Sequence, residues 1–175
     1  MANYFLLEAS SNVKEFVSVR EAMKKYELAC QMSEFQHLTT DPITVEVDED
    51  SGDIFQDFIC DNGVPLISEN MKQCFDALKI DYLFYKKVTL TKKFSEVEKQ
   101  YWLAVPPRIN CLNKEKSDID NYLNYADSIV INPSRVGKYD IFKLAGVTNT
   151  EIIITNKLAI VLSVKKFIGI HINKI

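Results

Sequence analysis

The sequence predicts an α+β fold in which a largely antiparallel sheet packs with two or three helices. Helix and strand patterns are mixed along the chain, without the regular β-α alternation that is typical of parallel sheets. Glycine and proline are scarce, at five each, so flexible linkers between domains are not expected. A length of 175 residues is enough for one domain with a sizeable core. We therefore predict a single domain over residues 1–175.

The first third of the chain contains strand and helix patterns that are separated by breaks. Residues 3–8 predict an opening strand. Apolar residues recur at roughly helical spacing from Asn12 to Cys30, which predicts a helix, although Arg20 interrupts the apolar stripe. Alternation of apolar and polar residues over 43–48 indicates a half-buried strand. Turns or breaks are expected at 41–42, 51–52 and 61–65.

The clearest helix of the sequence is predicted over residues 68–79. The Ser68 hydroxyl can accept a hydrogen bond from a free N–H at the helix start, and Glu69 lies where the helix dipole favours a negative charge. Apolar side chains then recur on one helical face, which we expect to pack on the sheet. The residues of this face are Ile67, Met71, Cys74, Phe75 and Leu78.

The rest of the chain reads mostly as strands. Residues 82–90 and 100–111 each predict a strand, and the second is expected to bend or to lie at a sheet edge because Pro106 and Pro107 cannot both lie inside a central ladder. Residues 113–124 are predicted to form a loop or a short helical turn. Strands are then predicted at 127–132, 140–146 and 151–155, followed by a helix that ends near Lys166 and a last strand at 167–172.

Charge and hydropathy exclude several classes of protein. The net charge is −3 and the isoelectric point is about 5.5, so we predict no nucleic-acid partner, which would require a basic face. No apolar stretch approaches the ~20 residues that span a bilayer, so we predict no membrane partner. The N-terminus lacks the basic and apolar regions of a signal peptide, which predicts the cytoplasm. The sequence leaves the oligomeric state open.

Residues with catalytic or ligating chemistry do not form a recognisable motif, so we predict no catalytic residues, no cofactor and no metal. His37 and His171 lie far from cysteines or carboxylates at ligand spacing. The four cysteines are widely spaced, and we expect them to be buried thiols. Asp48, Asp50 and Asp53 suggest a calcium loop, but their glycine is out of register, and a solvated turn explains them better.

An unusual run of acidic residues extends from 41 to 69. It contains nine acidic residues and no lysine, arginine or histidine. Such segregation can steer a basic partner, and it can equally be a solvated charged face. The residues that we predict to bind a partner are Asp41, Glu46, Asp48, Glu49, Asp50, Asp53, Asp57 and Asp61. Glu69 completes the run.

Several segments, taken in order, resemble those of a known protein family. The resemblance covers roughly residues 60–175, with a weaker match of YFLLE at 4–8. Asn113 and Asn156 depart from it, since acids are usual at both positions. The similar segments are GVPLISE (63–69), IDYLFYKKV (80–88), YWLAV (101–105), INCLNKEKS (109–117), YDIFKL (139–144), IIITNKL (152–158) and FIGIH (167–171). In this order they resemble immunity protein family eleven of bacterial polymorphic toxin systems.

This resemblance implies a function by binding. It implies one immunity-type domain over residues 1–175 that binds the effector domain of a cognate toxin and blocks its active site. Many such toxins are nucleases with basic surfaces, which the acidic run would complement. Two alternatives remain at this point. One is an enzyme with an unrecognised, hydrolytic site, and the other is an adaptor with a different partner.

Overall fold

A computed structural model describes residues 3–12, 14–35, 38, 42–93 and 95–175 of the chain. In chain order, the strands are β1 (Tyr4–Ala9), β2 (Ile43–Glu46), β3 (Phe58–Asp61), β4 (Val64–Ser68), β5 (Phe84–Thr91), β6 (Glu98–Val105), β7 (Arg108–Ile109), β8 (Ile119–Asp120), β9 (Tyr125–Ala126), β10 (Ile141–Leu144), β11 (Ile152–Thr155) and β12 (Ile170–Lys174). The α-helices are α1 (Arg20–Met23), α2 (Glu27–Met32), α3 (Glu69–Ala77) and α4 (Asn156–Lys165).

The chain divides into two compact units, and each is assembled from segments that are distant in sequence. The central unit comprises Ala9–Val105 and Phe167–Ile170. The terminal unit comprises Met1–Glu8, Pro106–Lys166 and His171–Ile175. Both units combine strands with helices, and most strand pairs are antiparallel, so the predicted α+β class is confirmed. The assignment of the whole chain to one domain stays a prediction.

The central unit is built on a five-stranded sheet with the order β2-β5-β6-β4-β3. The β5–β6, β4–β6 and β3–β4 pairs are antiparallel, whereas β2 pairs with β5 in parallel. Side chains along β2 alternate between buried and exposed, as the sequence predicted. Valine and leucine side chains of four strands are almost completely buried and form the core, among them Val45, Leu66, Val88 and Leu103.

The first helical segment of the central unit is shorter than predicted. It begins at Arg20 rather than near Asn12, and it runs through α1, a 3-10 turn at Lys24–Tyr26 and α2. Before it, Phe16 forms a parallel bridge with Ile54 and the Val17 N–H donates to the Ile54 carbonyl, 3.0 Å away. These extended contacts replace the first helical turns, so the prediction of a helix from Asn12 was wrong in its first part. Val13 lies outside the described residues.

Helix α3 has the beginning and the buried face that the sequence predicts. The Ser68 hydroxyl accepts a hydrogen bond from the Met71 N–H at 3.2 Å. Met71, Cys74 and Phe75 are buried, and the helix contacts β4 and β6. The predicted helix is confirmed, and three of the five residues of its predicted face are buried in it. Ile67 belongs instead to β4, and Leu78 follows the helix and is half-buried.

The segment 61–65, predicted as a break, is the turn of a β-hairpin. Strands β3 and β4 pair in antiparallel register from Phe58–Ile67 to Asp61–Val64, which leaves Asn62 and Gly63 as a two-residue loop. Both have positive φ, 51° and 76°, as a type I′ turn requires.

The terminal unit contains a second five-stranded sheet, with the order β12-β1-β11-β10-β7, and a separate β8–β9 hairpin. Strands β1 and β10 pair with β11 in antiparallel fashion, whereas β7 and β10 are parallel. Its core includes Phe142 and Ile153, and the ring of Tyr4 meets that of Phe142 edge-on at 6.1 Å. The α4 helix contacts β11. Thr155 is its N-cap residue, and the Thr155 hydroxyl accepts a hydrogen bond from the Leu158 N–H.

Three predictions in this half of the chain are corrected. The predicted strand at 127–132 is irregular, and only Ile131 forms a bridge, to Leu112. The predicted strand at 100–111 is interrupted at the two prolines, because β6 ends at Val105 and β7 begins at Arg108. The last strand begins at Ile170, after a turn that contains Gly169 at a φ of 76°. The predicted strands at 140–146 and 151–155 correspond to β10 and β11.

Candidate functional site

The structure separates the acidic residues of the run into two groups. Asp48, Asp57 and Asp61 are partly buried and accept hydrogen bonds from nearby groups of the central unit. The second group is exposed to solvent and consists of Glu46, Glu49, Asp50 and Asp53. Asp41 lies outside the described residues. The acidic run therefore combines carboxylates that hold the backbone with carboxylates that are available to a partner.

Asp57 connects the start of β3 to the segment before β12. One of its carboxylate oxygens accepts from the Ser68 hydroxyl at 2.5 Å, and the other accepts from the Ile168 N–H at 2.8 Å. Its own N–H donates to the Ile168 carbonyl at 2.9 Å. Hydrogen bonds to a charged acceptor are stronger than neutral ones, so Asp57 holds these segments of the central unit together.

Asp48 and Asp61 hold the chain where α1 begins. The Asp61 Oδ2 atom accepts from the Val19 N–H at 3.0 Å, and the Asp48 Oδ2 atom accepts from the Arg20 N–H at 3.1 Å. Both carboxylates also accept from the Ser18 hydroxyl, at 2.5 Å for Asp48 and 3.2 Å for Asp61. Two negative charges thus satisfy N–H groups that have no partner within the helix.

Two of the exposed carboxylates are paired with lysines that follow β5. Lys92 contacts Asp53, and Lys93 contacts Glu49. The hydrogen bond that Lys93 donates to the Glu49 carboxylate raises the pKa of Lys93 above its ordinary value. Ion pairs this exposed contribute little to stability, so they do not prevent a partner from competing for the carboxylates.

The acidic residues line a cleft of about 450 Å³ between the start of α1 and the segment after β2. Among the described residues that line it, five carry carboxylates and one, Arg20, is a cation. The acidic lining residues are Glu21, Glu46, Asp48, Glu49 and Asp50. An excess of negative charge in a concave surface attracts cationic groups, such as a lysine or arginine side chain of another protein.

Sequence reasoning missed Glu21 and Arg20 as lining residues of this cleft. Both precede the acidic run by at least twenty positions, and the hydrogen bonds of Asp48 and Asp61 bring them to it. Glu21 in the first turn of a helix is an ordinary helix-start residue, so no local signal marks it. Asp53, Asp57 and Asp61, which the sequence placed with the run, do not line the cleft.

The residues with catalytic potential have ordinary surroundings. Burial raises the pKa of Cys111 to about 11, so its side chain is a neutral thiol rather than a nucleophilic thiolate. His171 is exposed on β12, and His37 lies outside the described residues. Within the described ranges, no three or more His, Cys, Asp or Glu side chains are placed to hold a metal ion.

No helix in the part of the chain that the structure describes is long and apolar enough to cross a membrane.

Comparison with models of known protein families identifies the class of protein to which the chain belongs. Residues 8–175 match the immunity protein family Imm11. The match covers nearly the entire chain, so this protein belongs to the Imm11 immunity protein family. It extends well beyond the segments over which the sequence resemblance was noted. A comparison with curated proteins finds no match.

Membership of this family makes the protein a toxin-neutralising immunity protein, whose partner is a toxin. The family implies an inhibitor that acts by binding rather than an enzyme.

Proposed function

We propose that this protein neutralises one cognate toxin of a bacterial polymorphic toxin system by binding its effector domain and blocking the active site. The family match over residues 8–175 is the observation that carries the proposal. Inhibition by occlusion requires a stable surface rather than a catalytic group. We also place the interaction in the cytoplasm, where a toxin made by the cell itself would do harm.

We further propose that the acidic run, residues 41–61, contributes to the toxin interface. Glu46, Glu49, Asp50 and Asp53 would meet the toxin directly, while Asp48, Asp57 and Asp61 hold the surrounding backbone in place. Exposed carboxylates around a concave surface complement a basic partner. A nuclease has such a surface, because it must bind phosphates, so a nuclease toxin fits this site best.

Growth rescue tests the proposal as a whole. The toxin encoded beside this chain's gene is expressed from an inducible promoter, with and without this protein. We expect growth to stop with the toxin alone and to be restored when both are made. Failure of the correctly folded protein to restore growth, or to bind the purified effector domain, would overturn the proposed function.

The role of the acidic surface is tested by reversing the charge of Glu46, Glu49 and Asp50 to lysine in one variant. We expect association with the toxin to slow about tenfold at low salt, with a weaker dependence on ionic strength, because long-range attraction mainly raises the association rate. Stopped-flow kinetics at several salt concentrations measure both quantities. Asp48 is left unchanged because its hydrogen bonds support the fold.

A matched control separates local charge from net charge. Glu34, Asp81 and Glu115 are also exposed and lie outside the run, so their reversal to lysine changes the net charge by the same amount. We expect this variant to associate nearly as fast as the wild type. Equal slowing in both variants, or in neither, would show that the acidic run is a solvated face and that the interface lies elsewhere.

A further inference from the structure

The β8–β9 hairpin of the terminal unit presents two large apolar side chains to solvent at its tip, residues 121–124. Tyr122 is 95% exposed and Leu123 is 59% exposed. Strands β8 and β9 pair in the register Ile119–Ala126 and Asp120–Tyr125 and leave four residues in the loop. Loop tips are usually polar, so an exposed tyrosine beside an exposed leucine requires an explanation other than packing in this chain.

The tip is held in one conformation by hydrogen bonds to its backbone. One carboxylate oxygen of Asp120 accepts from the N–H groups of Tyr122 at 2.7 Å and Leu123 at 2.9 Å. The Thr148 hydroxyl donates to the Leu123 carbonyl at 3.1 Å. The Thr148 N–H donates to the carbonyl of Asn124, a residue in the left-handed conformation, at 2.8 Å. The backbone of the tip is therefore fixed while its apolar side chains remain free.

The base of the hairpin is fixed by a buried asparagine. The Asn149 side chain accepts from the Ala126 N–H at 2.7 Å and donates to the Ala126 carbonyl at 3.1 Å, as a neighbouring strand would. Asn149 is almost completely buried, and the Tyr125 hydroxyl donates to Glu151 at 2.7 Å. The connection between β10 and β11 thus supports the hairpin from one side, which makes it a rigid projection.

We propose that this tip is a contact site for the toxin and that Tyr122 is its anchor, inserted into an apolar recess of the effector domain. This inference rests on the proposed function. Tyrosine and other large rigid side chains dominate the binding energy of protein interfaces. A loop that is already ordered loses little conformational entropy on binding, so more of the contact energy appears as affinity.

The charges around the tip indicate the chemistry of the recess. Residues 117–127 contain three aspartates and no lysine, arginine or histidine. Asp118 and Asp127 are exposed, whereas Asp120 is used within the loop. Asp118 and Asp127 face each other at the base of the hairpin, where the Asp127 N–H donates to the Asp118 carbonyl. An apolar tip on an acidic hairpin is complementary to an apolar recess bordered by basic side chains. The partner is therefore a basic protein surface rather than a second copy of this chain, whose own hairpin would bring aspartates against aspartates.

Substitution of Tyr122 tests the proposal. The probe is the purified, catalytically inactivated effector domain of the toxin encoded beside this chain's gene. We expect Tyr122→Ala to raise the Kd by about 30-fold or more, mainly through faster dissociation, and Tyr122→Phe to retain most of the affinity. Leu28→Ala is the matched control, because Leu28 is 71% exposed in α2, and its Kd should stay at the wild-type value. Titration calorimetry and surface binding kinetics measure these effects.

The possible outcomes separate this inference from the proposed function. If the wild type and Tyr122→Ala bind the effector domain equally well, the inference is overturned and the proposed function stands. If the wild type does not bind it at all, both are overturned. Tyr122→Ala should melt at the wild-type temperature, since its side chain packs against little. A self-association that Tyr122→Ala abolishes while toxin binding is unchanged would assign the tip to a second copy and also overturn the inference.

Discussion

Replacement of Phe75 by alanine is expected to lower the free energy of unfolding of the central unit by about 3–5 kcal/mol. Phe75 is 1% exposed and lies on the face of α3 that packs on β4 and β6. Removal of the ring leaves a cavity in addition to the lost transfer free energy, since the neighbouring strands cannot close around the smaller side chain. Urea unfolding followed by the fluorescence of the single tryptophan, Trp102 of β6, reports directly on this unit.

Gln73→Ala in the same helix is the control. Gln73 is exposed, so its replacement keeps the helix and removes no buried contact, and we expect a change within about 0.5 kcal/mol. A loss below about 1 kcal/mol for Phe75→Ala would mean that α3 does not contribute to the core as its burial indicates.

Replacement of Gly52 by alanine is expected to cost about 3 kcal/mol and to displace the acidic segment around it. A Cβ atom at this position would lie 2.1 Å from the carbonyl carbon and oxygen of Glu15 and 2.7 Å from the Phe16 nitrogen. These are backbone atoms, which cannot rotate away as a side chain would. The Gly52 N–H also donates to the Phe16 carbonyl at 3.0 Å, so the two segments must separate to make room. Thermal and urea unfolding measure the loss.

Gly137→Ala distinguishes this clash from the ordinary cost of replacing glycine. Gly137 has a φ of +64°, and nothing lies within 4 Å of a Cβ built there. Its replacement should cost only the left-handed backbone strain of about 1–2 kcal/mol. If Gly52→Ala is no more destabilising than Gly137→Ala, the close approach of the two segments is not tight.

The parts of the fold that could be predicted are those that local residues determine. Helix α3 was found because Ser68, Glu69 and an apolar face occur together within one helix length. The β3–β4 hairpin had an equally local signal, Asn62-Gly63, which is the preferred pair for a type I′ turn. Residues 61–65, which include Pro65, predict only a break in the sequence pattern. Pro65 nevertheless pairs with Cys60 in the hairpin.

The errors lie where distant residues decide the backbone conformation. The apolar residues 129–131 predict a strand. In the structure, however, the Val130 N–H donates to the Ser117 hydroxyl at 3.0 Å, and the Val130 carbonyl accepts from the Asn113 N–H at 2.7 Å. These partners come from irregular chain, so no ladder forms. The late start of α1 has a similar cause, since Asp48 and Asp61 hold residues 18–20 from positions that helical periodicity does not describe.

The sequence predicts the acidic composition of the candidate site, but it does not predict how the acidic side chains are arranged. The sequence shows how many carboxylates the run contains, but hydrogen bonding decides which of them face solvent. Nothing in the sequence distinguishes the role of Asp57 from that of Glu49. In the structure the Asp57 carboxylate accepts hydrogen bonds from the Ser68 hydroxyl and the Ile168 N–H, whereas Glu49 is exposed. The tip with Tyr122 had no signal in the sequence, since a tyrosine beside a leucine is more often a core pair.

The position of β1 in its sheet has a consequence for how the protein is made. This strand, formed by Tyr4–Ala9, lies between β11 and β12, and β12 ends at Lys174. β1 therefore has no partner in its sheet until residues 152–155 of β11 and 170–174 of β12 have been synthesised. The central unit likewise includes Phe167–Ile170. Both units thus depend on contacts between segments that are distant in sequence, a topology that slows folding and leaves an apolar strand unpaired while its partners are still missing.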